Sequence, residues 1–174
     1  AEAAVVSSEY TIEDFSSEIT VNQDTSLTVE ERISVHFSVP KHGIFRVIPV
    51  IYNSGGRTIR ANLKVVSITD DEGKDYHYKV NDYQQSIKLE IGDPQETING
   101  PHTYLIKYTI SEVLLPYEDH EEVYWNVTGH EWDTIIKKSS AKVISPFAPI
   151  VKVTCFCGPF GSKEEQCAGD FNHQ

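Results

Sequence analysis

SLTVEERISVHFSV, residues 26–39, alternates from end to end. Leu27, Val29, Glu31, Ile33, Val35 and Phe37 share one face, and Thr28, Glu30, Arg32, Ser34 and His36 share the other. A period of two held this long marks a β-strand with one face buried. Only Glu31 interrupts the apolar set. The period returns in ANLKVVSITD (61–70), with Leu63, Val65 and then Ser67 or its neighbours in phase. That run ends in DDEGKDY, an acidic and glycine-bearing hairpin turn leading to YHYKV. Further strands are expected at 10–22, 86–91, 103–110, 123–128, 141–145 and 150–155. NSGG, GDPQ, NGP, LLPYEDH and SPFAP break the chain between strands. No window sustains the i, i+3, i+4, i+7 spacing of a helix over three turns. The pattern predicts an all-β chain: a single, mostly antiparallel β-sandwich, Ig-like or jelly-roll-like. Its core would span about 10–150, followed by a cysteine-bearing tail, 151–174, within one domain of 1–174.

The 174 residues suit one domain, and 39% hydrophobic with 24% charged residues is an ordinary folded composition. A formal charge of −11, with 15 Lys and Arg, excludes the basic footprint that nucleic acid requires. The same charge disfavours adsorption to anionic lipid. No apolar run approaches the ~18 to 20 residues that cross a bilayer. There is no methionine, so the natural start codon is expected outside this chain. The small, polar opening AEAAVVSSEY reads as sequence following a signal-peptidase cut or as a trimmed end, and both can hold.

EEVYWNVTGHEWD, residues 121–133, concentrates the candidate chemistry. Glu121 or Glu122 with Glu131 or Asp133 would supply a glycosidase-type carboxylate pair, with His130 as a base. Nothing in the spacing fixes their separation. On a strand over 123–128, Trp125 shares the apolar face with Val123 and Val127, which makes it a core residue. Asn126 then points the other way, beside Gly129, where its amide can bond a loop backbone. His130, Glu131 and Trp132 fall in the following loop as candidate binding residues. Asn126-Val127-Thr128 matches a glycosylation sequon, a poor acceptor inside a strand. Asp70, Asp71, Glu72 and Asp75 lack the ligand order of a calcium loop. The seven histidines show no zinc-binding spacing. No metal and no cofactor are expected.

Arg46 lies in HGIFRVIPV, among Ile44, Phe45, Val47, Ile48, Pro49 and Val50. A guanidinium there needs a carboxylate, and Glu30 or Glu31 is the natural partner, a structural tie. Cys155 and Cys157 stand two apart on an expected strand, ~6.6 Å between Cα atoms, badly aimed at each other. One of the two should bond Cys167. A zinc site from all three with His173 matches no common ligand spacing.

In order along the chain, SLTVEERISVHF, HGIFRVIPV, IGDPQETINGPHTYLIKYTI, EEVYWNVTGHEWD, KVISP and VTCFCGPFGS resemble a family of predicted membrane proteins, DUF2207. The sharpest matches are Gly43-Ile44, Arg46, Ile48-Pro49, Ile91-Gly92-Asp93, Tyr104, Tyr108, and Tyr124 through Gly129 and Trp132. The resemblance implies a signal peptide, this domain outside a bacterial cell, membrane helices and a glycine-rich tail, with the tether beyond this chain. It leads one to expect a single cysteine before GPFG, where this chain has two. It implies a Cys155–Cys167 disulfide with Cys157 as the additional thiol. The family's activity is uncharacterised. The expectation is a non-catalytic binding or assembly module with an unknown extracellular ligand or protein partner. The alternatives are an enzyme acting on cell-wall glycan or peptide, and a mechanical spacer. Tyr76, Tyr78, Tyr83, Tyr117 and Trp132, in or near turns, favour binding.

Overall fold

The computed structural model describes residues 9–54, 57–158, 162 and 167–169. The opening segment 1–8, the turn residues 159–161 and His173 lie outside them. The described chain is all-β, with twelve strands and no helix among the described residues. They are β1 (Tyr10–Val21), β2 (Leu27–Lys41), β3 (Gly43–Pro49), β4 (Ile51–Ser54), β5 (Arg57–Arg60) and β6 (Asn62–Thr69). There follow β7 (Tyr78–Asp82), β8 (Ser86–Gly92), β9 (Ile98–Ser111), β10 (Leu114–Pro116), β11 (Glu121–Val123) and β12 (Ser139–Ile144).

Five strands form one sheet in the order β12-β1-β2-β9-β6, and three form a second, β3-β8-β7. β4–β5 and β10–β11 are separate two-stranded pairs. Every pairing is antiparallel except β1 with β12, which runs parallel from Phe15↔Ser139 to Thr20↔Ile144. The inward faces of the two larger sheets share one core. Leu27, Val29, Ile33, Val35 and Phe37 of β2 join Tyr104, Ile106, Tyr108 and Ile110 of β9, and Ile44, Ile48, Ile87, Leu89 and Ile91 of β3 and β8.

Bulges keep the apolar residues on the core side where the sequence changes phase. On β1 a register shift between Ile12 and Asp14 lets Tyr10 and Ile12 point inward and then Phe15, Ser17 and Ile19. One extra residue in a strand reverses the facing of all that follow. On β6 the shift between Val65 and Ser67 brings Ile68 into the core and leaves Val66 exposed.

Between β2 and β3 the chain passes from one sheet to the other through a single residue, His42. Gly43 then pairs directly with Gly92. Both have φ in the region that side chains rarely adopt, +142° and +137°. A Cβ on Gly43 would lie 1.9 Å from the Ile91 carbonyl oxygen, and one on Gly92 1.8 Å from that of His42. Only glycine lets the two backbones meet at this corner.

Two expected strands are corrected. The 123–128 strand ends at Val123, and 124–138 forms no further strand. The reason is a competing donor, since Arg46 takes the Val127 and Thr128 carbonyls that a ladder would use. Residues 150–155 carry no strand ladder either. Pro146 and Pro149 separate them from β12, and proline cannot donate to a ladder.

Candidate functional site

Alternation on β2 directs Glu31 inward, and on β3 it directs Arg46 inward between Ile44 and Ile48. Both are buried, with side-chain exposures of 0% and 1%. They meet bidentately across the two sheets. Arg46 Nε donates to Glu31 Oε2 at 2.8 Å, and Arg46 Nη2 donates to Oε1 at 2.7 Å. Tyr108, inward on β9, donates its hydroxyl to the same Oε1 at 2.7 Å. Nη2 also donates to the Val127 carbonyl at 3.1 Å. Nη1 donates to the carbonyls of Val47 at 2.8 Å and Thr128 at 3.0 Å. A guanidinium has five N–H donors, and all five are engaged. Glu30 faces outward instead, bonded to Lys107 at 2.6 Å.

Burial is the largest influence on the Arg46 pKa and lowers it. The Glu31 carboxylate and the hydrogen bonds together outweigh burial and hold the pKa above its ordinary value. The Tyr108 hydroxyl is pushed well up, first by burial and then by Glu31, with Arg46 opposing. A buried pair of this kind gains little over an apolar replacement of both partners, but removing one partner is costly.

The pair also fixes the segment after β11. Asn126 Oδ1 accepts the Gly129 N–H at 3.0 Å, which closes the turn. Gly129 has φ +75°, and a Cβ there would stand 2.6 Å from Arg46 Nη1. Trp132 Nε1 donates to the Thr128 carbonyl at 2.7 Å. Phe15 and Trp132 rings flank the guanidinium carbon at 5.3 and 5.9 Å, within cation–π range. Beyond this, Tyr10 donates its hydroxyl to Asp133 at 2.5 Å, and Thr134 donates to the Tyr10 carbonyl. Backbone bonds Ile12 to Ile135, Phe15 to Lys138 and Lys137 to Ile12 then align the chain with β1 and lead into β12.

The candidate residues of 121–133 therefore divide. Trp125 is half-buried and not on a strand. It lies against Tyr52 and Tyr108, each with ring centroids 6.3 Å away, and its indole N–H has no partner among the described residues. Trp132 is turned inward and its N–H is engaged, so it supports the loop from within. Glu121, Glu122, His130 and Glu131 are exposed. Asp133 is held by Tyr10. Truncating Trp125 to alanine should cost about 2–3 kcal/mol, less than a fully enclosed tryptophan. Glu131→Gln should stay within ~0.5 kcal/mol of the parent in urea denaturation. Equal losses at both positions would mean that the loop end is also part of the core.

Sequence reasoning missed Tyr108 and Phe15 as members of this site. Tyr108 carried a usable signal: it alternates with Ile106 and Ile110, and a buried phenol needs an acceptor. The acidic turns organise backbone. Asp70 accepts the N–H groups of Glu72 and Lys74, and Asp93 accepts that of Gln95.

The expected Cys155–Cys167 disulfide is also corrected. Cys157 is bonded to Cys167, with Cα atoms 6.0 Å apart, and Cys155 is an exposed thiol. Cys155 and Cys157 both reach Cys167, and the bond closes the shorter loop, with a sequence separation of 10. Among the described residues, the side chains gathered at ligand distance are those three sulfurs, all within 4.8 Å of one another. With two of them bonded together, they offer one thiol and no three-thiolate metal site.

An all-β domain whose buried ion pair ties two sheets to one loop is the class defined by this geometry. The chain belongs to the family described as the N-terminal domain of a predicted membrane protein, DUF2207, whose model matches residues 11–170. It is 28% identical over 131 residues to the uncharacterized protein YciQ of Escherichia coli (strain K12). That match covers 72% of this chain and 20% of YciQ, so the chain spans about a fifth of the relative's length. Among solved structures, yeast LTA4 hydrolase in complex with bestatin matches with a TM-score of 0.51 at 10% identity, covering 79% of this chain and 23% of that one. An M1 zinc metallopeptidase mutant of Deinococcus radiodurans matches with a TM-score of 0.39 at 12% identity, over 62% of this chain and 22% of that one. The yeast likeness is one of fold alone. Among the described residues, no helix is long and apolar enough to cross a membrane.

Proposed function

We propose that this chain is a non-catalytic domain standing outside the membrane, where it binds or positions a partner for the longer protein that carries it. The observation that carries this reading is a surface loop held from beneath. Tyr124 is 58% exposed, and His130 and Glu131 are exposed around a turn whose backbone is fixed by Arg46. Tyr117 adds a second exposed ring, 49% accessible and stacked on His120 at 4.9 Å on the β10–β11 connection. Rigid aromatic side chains with polar neighbours suit recognition of peptide or sugar at low entropic cost. Arg46, Glu31 and Tyr108, the ionisable groups that meet in the core, are engaged with one another, which favours support over turnover. The disulfide and the family's description as a membrane protein favour a location outside the cytoplasm.

Two measurements test this. A membrane-impermeant maleimide applied to intact cells producing the full-length protein should label the tail thiol. Labelling only after lysis would place the domain on the other side. Amide shifts in the purified domain, titrated with cell-wall glycan fragments and peptides, should centre on 117–124 and 130–131. Hydrolysis of a cell-wall polymer that is lost in Glu131→Gln would replace this reading with the enzymatic one. Silence with every ligand class would favour a spacer.

A further inference from the structure

We propose that Cys155, Cys157 and Cys167 form an intramolecular thiol–disulfide exchange site, so that the tail holds two disulfide pairings. In the exchange, the Cys155 thiolate attacks Cys167 Sγ. The Cys155–Cys167 bond forms as the Cys157–Cys167 bond breaks, and Cys157 leaves as the thiolate. The proton given up by Cys155 is matched by the one Cys157 takes, so no oxidant or reductant enters.

Four observations carry this. The three Sγ atoms lie within 4.8 Å of one another, so attack needs only a small local movement. The Cys155 thiol is exposed, which gives its proton access to solvent. Residues 151–157 carry no strand ladder, so no sheet pairing has to break as the sulfurs exchange. Finally, the two rings are nearly the same size, with Cys157 ten residues from Cys167 and Cys155 twelve. Closure entropy changes only with the logarithm of loop length, so the two pairings should be populated within about tenfold of each other. The thiolate is the nucleophile, so exchange should speed up as pH rises. Either cysteine would then serve as the tail's accessible thiol. This inference is independent of the binding reading above.

The test uses the purified, air-oxidised chain without reductant. Aliquots held at pH 5, 6 and 7 are quenched in acid, alkylated, digested with pepsin at low pH and mapped by tandem mass spectrometry. Alkylated Cys155 and alkylated Cys157 should both appear, with Cys167 always in the disulfide. In Cys157→Ser, Cys155 should pair fully with Cys167, and in Cys155→Ser the observed Cys157 pairing should be the only one. The sheet spectrum in the far ultraviolet checks that both variants remain folded. Finding only the Cys157–Cys167 pairing after prolonged incubation at pH 8 would overturn the proposal. So would a Cys157→Ser chain that leaves Cys155 and Cys167 unpaired, or three free thiols in the oxidised parent.

Discussion

Arg46→Leu should destabilise the domain by about 3–5 kcal/mol, because it leaves the Glu31 carboxylate buried without its counter-charge. The loss is not confined to the pair. The Val127 carbonyl loses its Arg46 donor, the Thr128 carbonyl keeps only that of Trp132, and the turn at Gly129 loses the group it is shaped around. An unsatisfied buried acceptor costs about 1–3 kcal/mol, and Glu31 Oε2, which Arg46 Nε alone serves, becomes one. Tryptophan fluorescence should change along with the urea midpoint, since Trp132 stands over the guanidinium. Arg46→Lys should recover little, because an ammonium has three donors and cannot form the planar fork to Glu31. Glu31→Leu combined with Arg46→Leu should be less damaging than the sum of the single changes. A loss within ~0.5 kcal/mol for Arg46→Leu would contradict the interior placement of the pair.

Above pH 10 the domain should lose stability steeply. Burial is the main cause of the raised pKa at Tyr10, Tyr104 and Tyr108, reinforced by Asp133 at Tyr10, by Tyr76 at Tyr104 and by Glu31 at Tyr108. An acid whose folded pKa exceeds its unfolded value holds its proton longer in the native state. Its contribution is intact below the unfolded value near 10 and is lost as pH climbs toward the folded one. Each such tyrosine removes about 1 kcal/mol between pH 10 and 11, where the unfolded phenol goes from half to mostly ionised, so the three together remove about 3 kcal/mol in that interval. Tyr76, pushed up to about 12 by burial and then by Asp70 and Asp71, adds less because it is only half-buried. Circular dichroism should collapse in the same narrow range in which tyrosinate absorbance at 295 nm rises. Complete tyrosinate absorbance in a chain with an intact sheet spectrum would show that these phenols are open to solvent.

The strands with one dry face were readable in the sequence because burial imposes a period of two. The pattern in 26–39 named every inward residue of β2, including the single charged one. The chain from Tyr124 to Lys138 was not readable in this way. Its course is decided by hydrogen bonds from a residue about eighty positions earlier, and no local period records that. Trp125 shows the difference: alternation placed it on a strand, whereas Arg46 takes the carbonyls that the strand would need. The bulge at Ile12 to Asp14 was equally invisible, since one inserted residue changes the phase without changing the composition. The choice between Cys155 and Cys157 was open on geometry, because both side chains leave an extended backbone in the same direction.

The parallel pairing of β1 with β12 bears on how the domain carries tension. Among the described residues β1 is the first strand and β12 the last, and they run in the same direction over six register pairs. Opposed pulls on the chain before Tyr10 and after Ile144 would slide the two strands past each other lengthwise. All the bonds between them would be loaded at once, together with the bridges Lys137–Glu13, Lys138–Asp14 and Lys142–Glu18. Antiparallel end strands pulled from a shared end would unzip, with each bond breaking in turn. A domain wired in this way yields to longitudinal shear, not to peeling, so the sheets need not open while the chain on either side is under load.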